Sequence, residues 1–312
     1  MTDPAGVLAA LEATAGRLAD VDPRLLFAAL VLQASSILLH GLAWRNALAA
    51  AHPDSDVGST ELIGCFAVGT ALNCILPAKG GDVTKVVLAR SQIDGSGAPA
   101  IVGALSLVNL FDMVVTASLT ALLLQLGVLG IEPSVFLRGP VASIAVAVAA
   151  GLVTVVVAAA RSARLRVRLR RLAEGLLAGA AIVRAPGRYL RSVVAPQLVA
   201  WVCRLGVAGC MLAAFGLHTG LRAAALVIAA RTLAGLIPVG MGGLGAQQIA
   251  LVYALGASAS TSQIIAFALG MQVAIATLHL LLGLFGAMVV LGSAHPVRVF
   301  GVARALLRPQ PA

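Results

Sequence analysis

Apolar residues in this chain fall into long runs separated by short polar breaks, and the order of run lengths occurs twice. Residues 24–51 form a long run that carries His40 and Arg45, followed by a polar loop at 52–59 with Asp54 and Asp56. The next run, 61–76, is shorter than the ~20 residues a helix needs to cross a bilayer. It stops at Pro77, passes through Gly80 and Gly81, and restarts as a short predicted helix over 82–90. A polar linker at 91–97 leads into a long run at 98–127 containing Asn109 and Asp112. The second pass has a long run at 193–217 with Arg204, a loop at 218–220, and a short run at 221–237 with Arg231. A break at 238–243, a short helix at 244–255, a linker at 256–261 and a long run at 262–292 with His279 complete it.

The pattern predicts an all-α integral membrane protein, a polytopic helical bundle built as an inverted repeat with two Pro/Gly-broken re-entrant hairpins. Repeat one is 25–127 and repeat two is 193–292, joined by a loop at 132–140, a clean span at 141–160 and a basic segment at 161–191. Residues 1–24 form an N-terminal segment with a short surface helix over 7–18, and 293–312 a cytoplasmic tail. The start of the chain has neither the basic opening nor the cleavage site of a signal peptide, so the expectation is mature chain. Identity between the halves is weak, so the repeat rests on the order of elements. Paired, Gly/Pro-interrupted segments in two halves point to a transporter-type site, because a broken helix exposes backbone groups tolerated in a membrane only inside protein or a hydrated cavity.

Composition agrees: 60% of residues are hydrophobic and 11% charged, which is not a soluble domain. Charge then orients the chain. Nine arginines lie between Arg161 and Arg191 with Glu174 as their one acid. Directly after a span and poor in aromatics, this run reads as a cytoplasmic anchor on anionic headgroups rather than a nucleic-acid surface. With that segment inside, the first hairpin dips from the cytoplasmic face, the second from the outer face, and the N-terminus lies outside. Full crossings by the short runs are the alternative. The cysteines Cys65, Cys74, Cys203 and Cys210 sit in apolar runs without ligand spacing and read as packing residues.

Of 22 basic residues only two are lysine, Lys79 and Lys85, and both flank the first break. A glycine turn, the free N–H groups of a restarting helix and two compact ammonium groups suit a phosphate. Asp82 could instead cap that helix or pair with Lys85, and snorkelling lysines at an interfacial turn would explain the same residues. The glycines match neither a P-loop nor a dinucleotide fingerprint, because no strand precedes them. Arg204 and Arg231 lie inside apolar runs, where an unpaired charge costs roughly 2.5–3.5 kcal/mol on insertion scales. They should face a cavity or a partner, with Asp112 the acidic candidate. Gln248, Gln247, Asn73 and Asn109 could line that cavity or join helices, and His40 and His279 read as packing or hydrogen-bonding residues. No catalytic set and no cofactor or metal motif occurs. Asp54 and Asp56 would suit a membrane transferase, but the topology puts them on the cytoplasmic face.

The stretches LPAKGGDVTKVVLAR (76–90), Leu110-Phe111-Asp112 and IPVGMGGLGAQQ (237–248) resemble the lysylphosphatidylglycerol synthase transmembrane-region family, which includes the membrane half of the multiple peptide resistance factor. The resemblance spans residues 25–292. It implies a multi-pass protein of the bacterial inner membrane that translocates lipids, in the best-studied case an aminoacylated phospholipid. No synthase domain is present in the sequence, so aminoacyl transfer is not expected. Three positions depart from the family pattern. Gln248 stands where an acid is usual, Val108-Asn109 where a Glu-Arg pair is common, and Lys85 where Arg is common. With those acids gone, the cations favour an anionic headgroup. The substrate-binding set is then Lys79, Gly80, Gly81, Asp82, Lys85, Asp112, Arg204, Arg231, Gly242, Gly243 and Gln248, with Asp112 the candidate proton carrier. The expected activity is flippase or scramblase transport of an anionic phospholipid or glycolipid. A membrane-embedded transferase using a polyprenyl-phosphate or phospholipid donor is the first alternative, and a non-transporting partner of a lipid-modifying enzyme the second. Membrane lipids are the expected partners, nucleic acid is not, and self-association stays open.

Overall fold

The computed structural model describes residues 21–53, 58–76, 80–93, 97–125, 163–217, 220–235, 246–256 and 259–293. The span expected at 141–160, the first-loop acids Asp54 and Asp56, the N-terminal helix, the C-terminal tail and both Pro-containing turns lie outside them. Every described element is helical: α1 (Pro23–Ala51), α2 (Ser59–Leu72), α3 (Gly80–Gln92), α4 (Ala98–Gln125), α5 (Ala163–Gly179), α6 (Pro186–Ala214), α7 (Leu221–Gly235), α8 (Ala246–Leu255) and α9 (Thr261–Ser293). Four of them, α1, α4, α6 and α9, are long and apolar enough to cross a bilayer, and α2 is a shorter apolar helix. Large apolar side chains point outward along their length, among them Phe27, Val202, Ile249, Val273 and Leu284, each more than 60% exposed. On a water-soluble protein such a surface would aggregate; in lipid it is the solvated face. The protein is an all-α polytopic membrane protein.

Local chemistry explains the helix ends. Asp22 caps α1 by accepting from the Arg24 and Leu25 amides at 2.8 and 3.4 Å, with Pro23 at the first helical position. The Asp22 amide donates to the Ala214 carbonyl at 3.1 Å, tying the start of α1 to the end of α6, so the two run antiparallel. Helix α6 stops where Gly216 takes φ +64. There Leu217 N–H donates to Leu212 O and Gly216 N–H to Ala213 O, and Leu217 and Leu212 share one apolar cluster; this is the Schellman arrangement, which glycine enters without a Cβ penalty.

Helix α6 begins at Pro186, seven residues before the start expected from the apolar run. Its π-helical turn at Leu190–Val194 precedes Pro196. A proline inside a helix leaves the carbonyl four residues earlier without its donor. That carbonyl is Ser192 O, and Asn46 of α1 donates to it at 2.8 Å.

Helix α1 packs most extensively on α6, α2 on α9 and α3, α4 on α5, and α7 on α8. Glycine sets several of these distances. A Cβ on Gly81 would collide with the Gly69 carbonyl and lie 2.6 Å from the Asn73 amide nitrogen, so α2 and α3 meet backbone to backbone. Gly64 and Gly286 place α2 against α9 in the same way, and Gly103 and Gly179 place α4 against α5. The basic segment therefore folds as a helix docked on the start of α4. The apolar interior forms two main clusters. One gathers Trp44, Leu48, Leu62, Phe66, Ile101 and Val108; the other gathers Ala29, Met211, Leu212, Leu251, Phe267 and Met271. The polar side chains in the middle of α1 and α6 fall between them.

Candidate functional site

Asp112 lies near the middle of α4, His40 near the middle of α1, Arg204 just past the middle of α6, and His279 close to the middle of α9. Each of these positions therefore lies several turns from either end of a helix long enough to span a bilayer. Helix packing brings the first three into contact. Asp112 Oδ2 accepts from Arg204 Nη2 at 3.0 Å, Oδ1 accepts from Trp201 Nε1 at 3.0 Å, and His40 Nε2 lies 3.1 Å from both carboxylate oxygens. Arg204 Nη2 is also 3.0 Å from His40 Nε2, and its guanidinium lies over the Trp201 ring at 5.1 Å. His40 Nδ1 sits 2.8 Å from the Ser36 carbonyl one helical turn back. One turn before Trp201, the fully buried Gln197 donates to Val108 O of α4 at 2.9 Å. Asp112 is the acid expected to partner an intramembrane arginine, and Arg204 is the arginine.

A second cluster forms at the first break. Lys85 is 5% exposed and its Nζ lies 2.9 Å from Asp82 Oδ1 and 4.1 Å from the Phe66 ring centroid. The ammonium is thus held by a carboxylate and an aromatic face inside the α2–α3–α1 packing. Asn73, at the end of α2, donates to the same Asp82 oxygen at 3.0 Å. Of the two roles open to Asp82, pairing with Lys85 is the one observed. Arg90 is exposed at the far end of α3. Gly81 is the close-approach residue on Gly69, and Gly80 faces Leu76. Lys79, Gly242 and Gly243 lie outside the described residues.

His279 links the clusters. Its Nε2 is 3.0 Å from Gln33 Nε2 of α1 and its Nδ1 is 3.4 Å from Cys74 Sγ, just past α2. The charges of Arg231, Lys85 and Arg204 all reach its ring. Arg231, on α7, also feels Arg204 and Cys74. Among the described residues it makes no ion pair and no hydrogen bond. Gln248 donates to Gln272 of α9 at 2.9 Å, joining α8 to α9.

The described charges of the two clusters and of α7 between them are Lys85, Arg204 and Arg231 against Asp82 and Asp112, three cations to two anions with the histidines neutral. Two cations are paired and Arg231 is the excess. Sequence reasoning missed His40, Trp201, Gln33 and Cys74 as members of the network. The available signal was position, since each is a polar or amphipathic residue at the mid-depth of a run or beside a break.

A polar, net-cationic centre inside a lipid-exposed helical bundle is the setting for comparison with known proteins. Residues 3–283 match the family described as lysylphosphatidylglycerol synthase TM region. The chain belongs to this family. Membership makes it a membrane protein with a lipid-related role, in keeping with four apolar helices of spanning length. No curated protein matches the chain significantly.

Proposed function

We propose that the protein is a lipid translocase of the bacterial inner membrane, moving an anionic phospholipid or lipid-linked headgroup between leaflets while the tails stay in the bilayer. The observation that carries this reading is Arg231. A guanidinium inside an apolar segment, with no acid or hydrogen-bond partner among the described residues and two further cations within electrostatic reach of the neighbouring His279, calls for an anion. A headgroup phosphate supplies one, and an arginine fork matches its geometry. Lys85 extends the site toward the first break, where engaging it means competing with Asp82 for its ammonium, and Lys79 stays in the proposed set on its sequence position alone. The inverted repeat belongs to the same reading. The packing of α1 on α2 recurs as α6 on α7, that of α2 on α3 as α7 on α8, and that of α3 on α4 as α8 on α9. Transporters of this architecture bind substrate near the midplane, where the two repeats meet.

The test is transport in vesicles reconstituted with the full chain, using headgroup-labelled phosphatidylglycerol and phosphatidylcholine quenched chemically in the outer leaflet. Wild type should speed loss of the protected signal, more for the anionic lipid. Arg231→Gln should lower the anionic rate by at least about tenfold, since one charge-assisted hydrogen bond carries about 1.5–3 kcal/mol. An unchanged ratio of anionic to zwitterionic rates in a folded Arg231→Gln protein would remove the site, and no movement of either lipid would remove the activity.

A further inference from the structure

We infer that His40 is a proton-binding site whose occupancy decides whether its Nε2 accepts from Arg204 or donates to Asp112, the second state freeing one Arg204 donor for an anion; the inference rests on the translocase reading for its purpose and on donor counting for its chemistry. A carbonyl only accepts, so the 2.8 Å contact from His40 Nδ1 to Ser36 O requires the hydrogen on Nδ1. In neutral His40, Nε2 is then an acceptor. It can take a hydrogen from Arg204 Nη2 at 3.0 Å, but it meets both Asp112 oxygens at 3.1 Å lone pair to lone pair. In protonated His40, Nε2–H donates to Asp112, and the hydrogen of Arg204 Nη2 that faced it becomes a donor against a donor. Either protonation state satisfies one neighbour and strands the other. The two arrangements exclude each other, and one proton on Nε2 selects between them.

Charge gives the switch a direction. With His40 neutral, the Asp112–Arg204 pair sums to zero. With the proton bound, the trio carries +1, Asp112 is engaged by His40 and Trp201, and Arg204 has lost one of its two acceptors. The freed hydrogen-bonding capacity lies within electrostatic reach of Arg231. Proton binding thus adds a cation to the proposed headgroup site, and a bound anion favours the protonated state by the same amount. The ligand is a proton, and its uptake would accompany that of one negative headgroup.

The other ionisable groups around α1 stand apart from this contact. His279 meets α1 at Gln33, about two turns from His40, and Cys74 contacts His279 on its other ring nitrogen. Glu61 on α2, Arg170 and Glu174 on α5, and Arg184 and Arg191 before and within the π turn make no bond to His40. Asp112 and Arg204 are therefore the charges that read its protonation, and the sequence-based assignment of the carried proton to Asp112 moves to His40.

Trp201 reports the switch directly, because its indole N–H bonds to Asp112 and its ring lies under Arg204. The chain has two tryptophans, so a Trp44→Phe background in lipid nanodiscs isolates its emission. Across a pH titration, Trp201 emission should show a one-proton transition. His40→Gln should abolish it and His279→Gln should leave it. A flat emission curve in the parent overturns the proposal without any variant, and so does a transition that survives His40→Gln. Vesicle transport separates this from the translocase reading. A His40-dependent transition in a protein that moves no lipid keeps the proton site and removes the activity. Lipid movement equal at pH 5.5 and 7.5 removes the coupling and keeps the activity.

Discussion

Replacing Asp112 with Asn tests the centre of the network most directly. The substitution keeps side-chain size and removes the charge. Arg204 then faces the interior without compensation, and Trp201 Nε1 keeps only the single amide oxygen, which Arg204 also needs, as its acceptor. Breaking a fully buried pair by removing one partner costs about 3–5 kcal/mol, whereas exposed pairs contribute about 0–1 kcal/mol. The two side chains are 24% and 32% exposed, between these limits, so about 2–3 kcal/mol is expected. Arg204→Gln should cost less, about 1–2 kcal/mol, because Asp112 keeps the Trp201 donor and can gain a second by protonation of His40. The double substitution should be no worse than Asp112→Asn alone, since the stranded cation causes most of that loss. Unfolding in mixed micelles, followed by far-ultraviolet circular dichroism, gives the three differences. The cycle should return a coupling of about 1–2 kcal/mol. Additivity within about 0.5 kcal/mol would mean the pair is not energetically coupled, and the charge accounting for the site would fail with it.

Further outcomes follow from packing and topology. Gly81→Ala should destabilise strongly or prevent folding, because the new methyl meets the Gly69 carbonyl and the Asn73 amide, backbone atoms that cannot turn aside. Gly209→Ala, where a Cβ meets nothing within 4 Å, should be neutral or stabilise by up to about 1 kcal/mol; equal effects in thermal unfolding would refute the seam. On a cysteine-free background, Arg90→Cys should react with an impermeant maleimide from the cytoplasmic side and Arg222→Cys from the outer side. Labelling of both from one face would overturn the opposed-hairpin topology.

The helix boundaries were legible because each depends on local chemistry. The run 24–51 gives α1 with its Asp-Pro cap and the run 221–237 gives α7, whereas Gly80 and Gly81, expected in the break before a helix at 82–90, are the first helical residues of α3. The start of α6 was not, because Ala195-Pro196 looks like a beginning until Asn46, 150 residues earlier, satisfies the carbonyl that the proline orphans. Arg204 demanded an acid and Asp112 was at hand, so that pair could be read from cost alone. His40 could not be placed, because a histidine in an apolar run is silent until its neighbours on α4 and α6 are known. The lysines show a different limit. Their rarity drew attention to the first break and left Asp82 to cap or to pair, and rarity could not reveal that Asp82 and Phe66 both contact the Lys85 ammonium.

The distribution of these contacts constrains how such a bundle could move. Two repeats rocking as rigid halves would have to part wherever the first touches the second. Three kinds of contact span that boundary, and the largest is the apolar packing of α1 on α6, where Ala29, Leu26 and Leu30 meet Val207 and Met211. Around His40, Asp112 and Arg204, and at Gln33, Cys74 and His279, the contacts are hydrogen bonds, which can exchange partners at little net cost when another group substitutes. Between α2 and α9 the contact is a glycine seam, in which Gly64 and Gly286 bring backbones together and Gly283 packs on Ala71. Such a seam has no second arrangement of similar packing, because closely fitted interfaces resist continuous sliding. Parting it would open a gap along two helices with nothing but lipid tails to fill it. Movement of one repeat against the other as a whole is therefore disfavoured. The polar centre can exchange hydrogen-bond partners while the α1–α6, α2–α9 and α4–α7 packing stays intact, so on the translocase reading the headgroup site near Arg231 would change by rearranging side chains rather than by parting the halves.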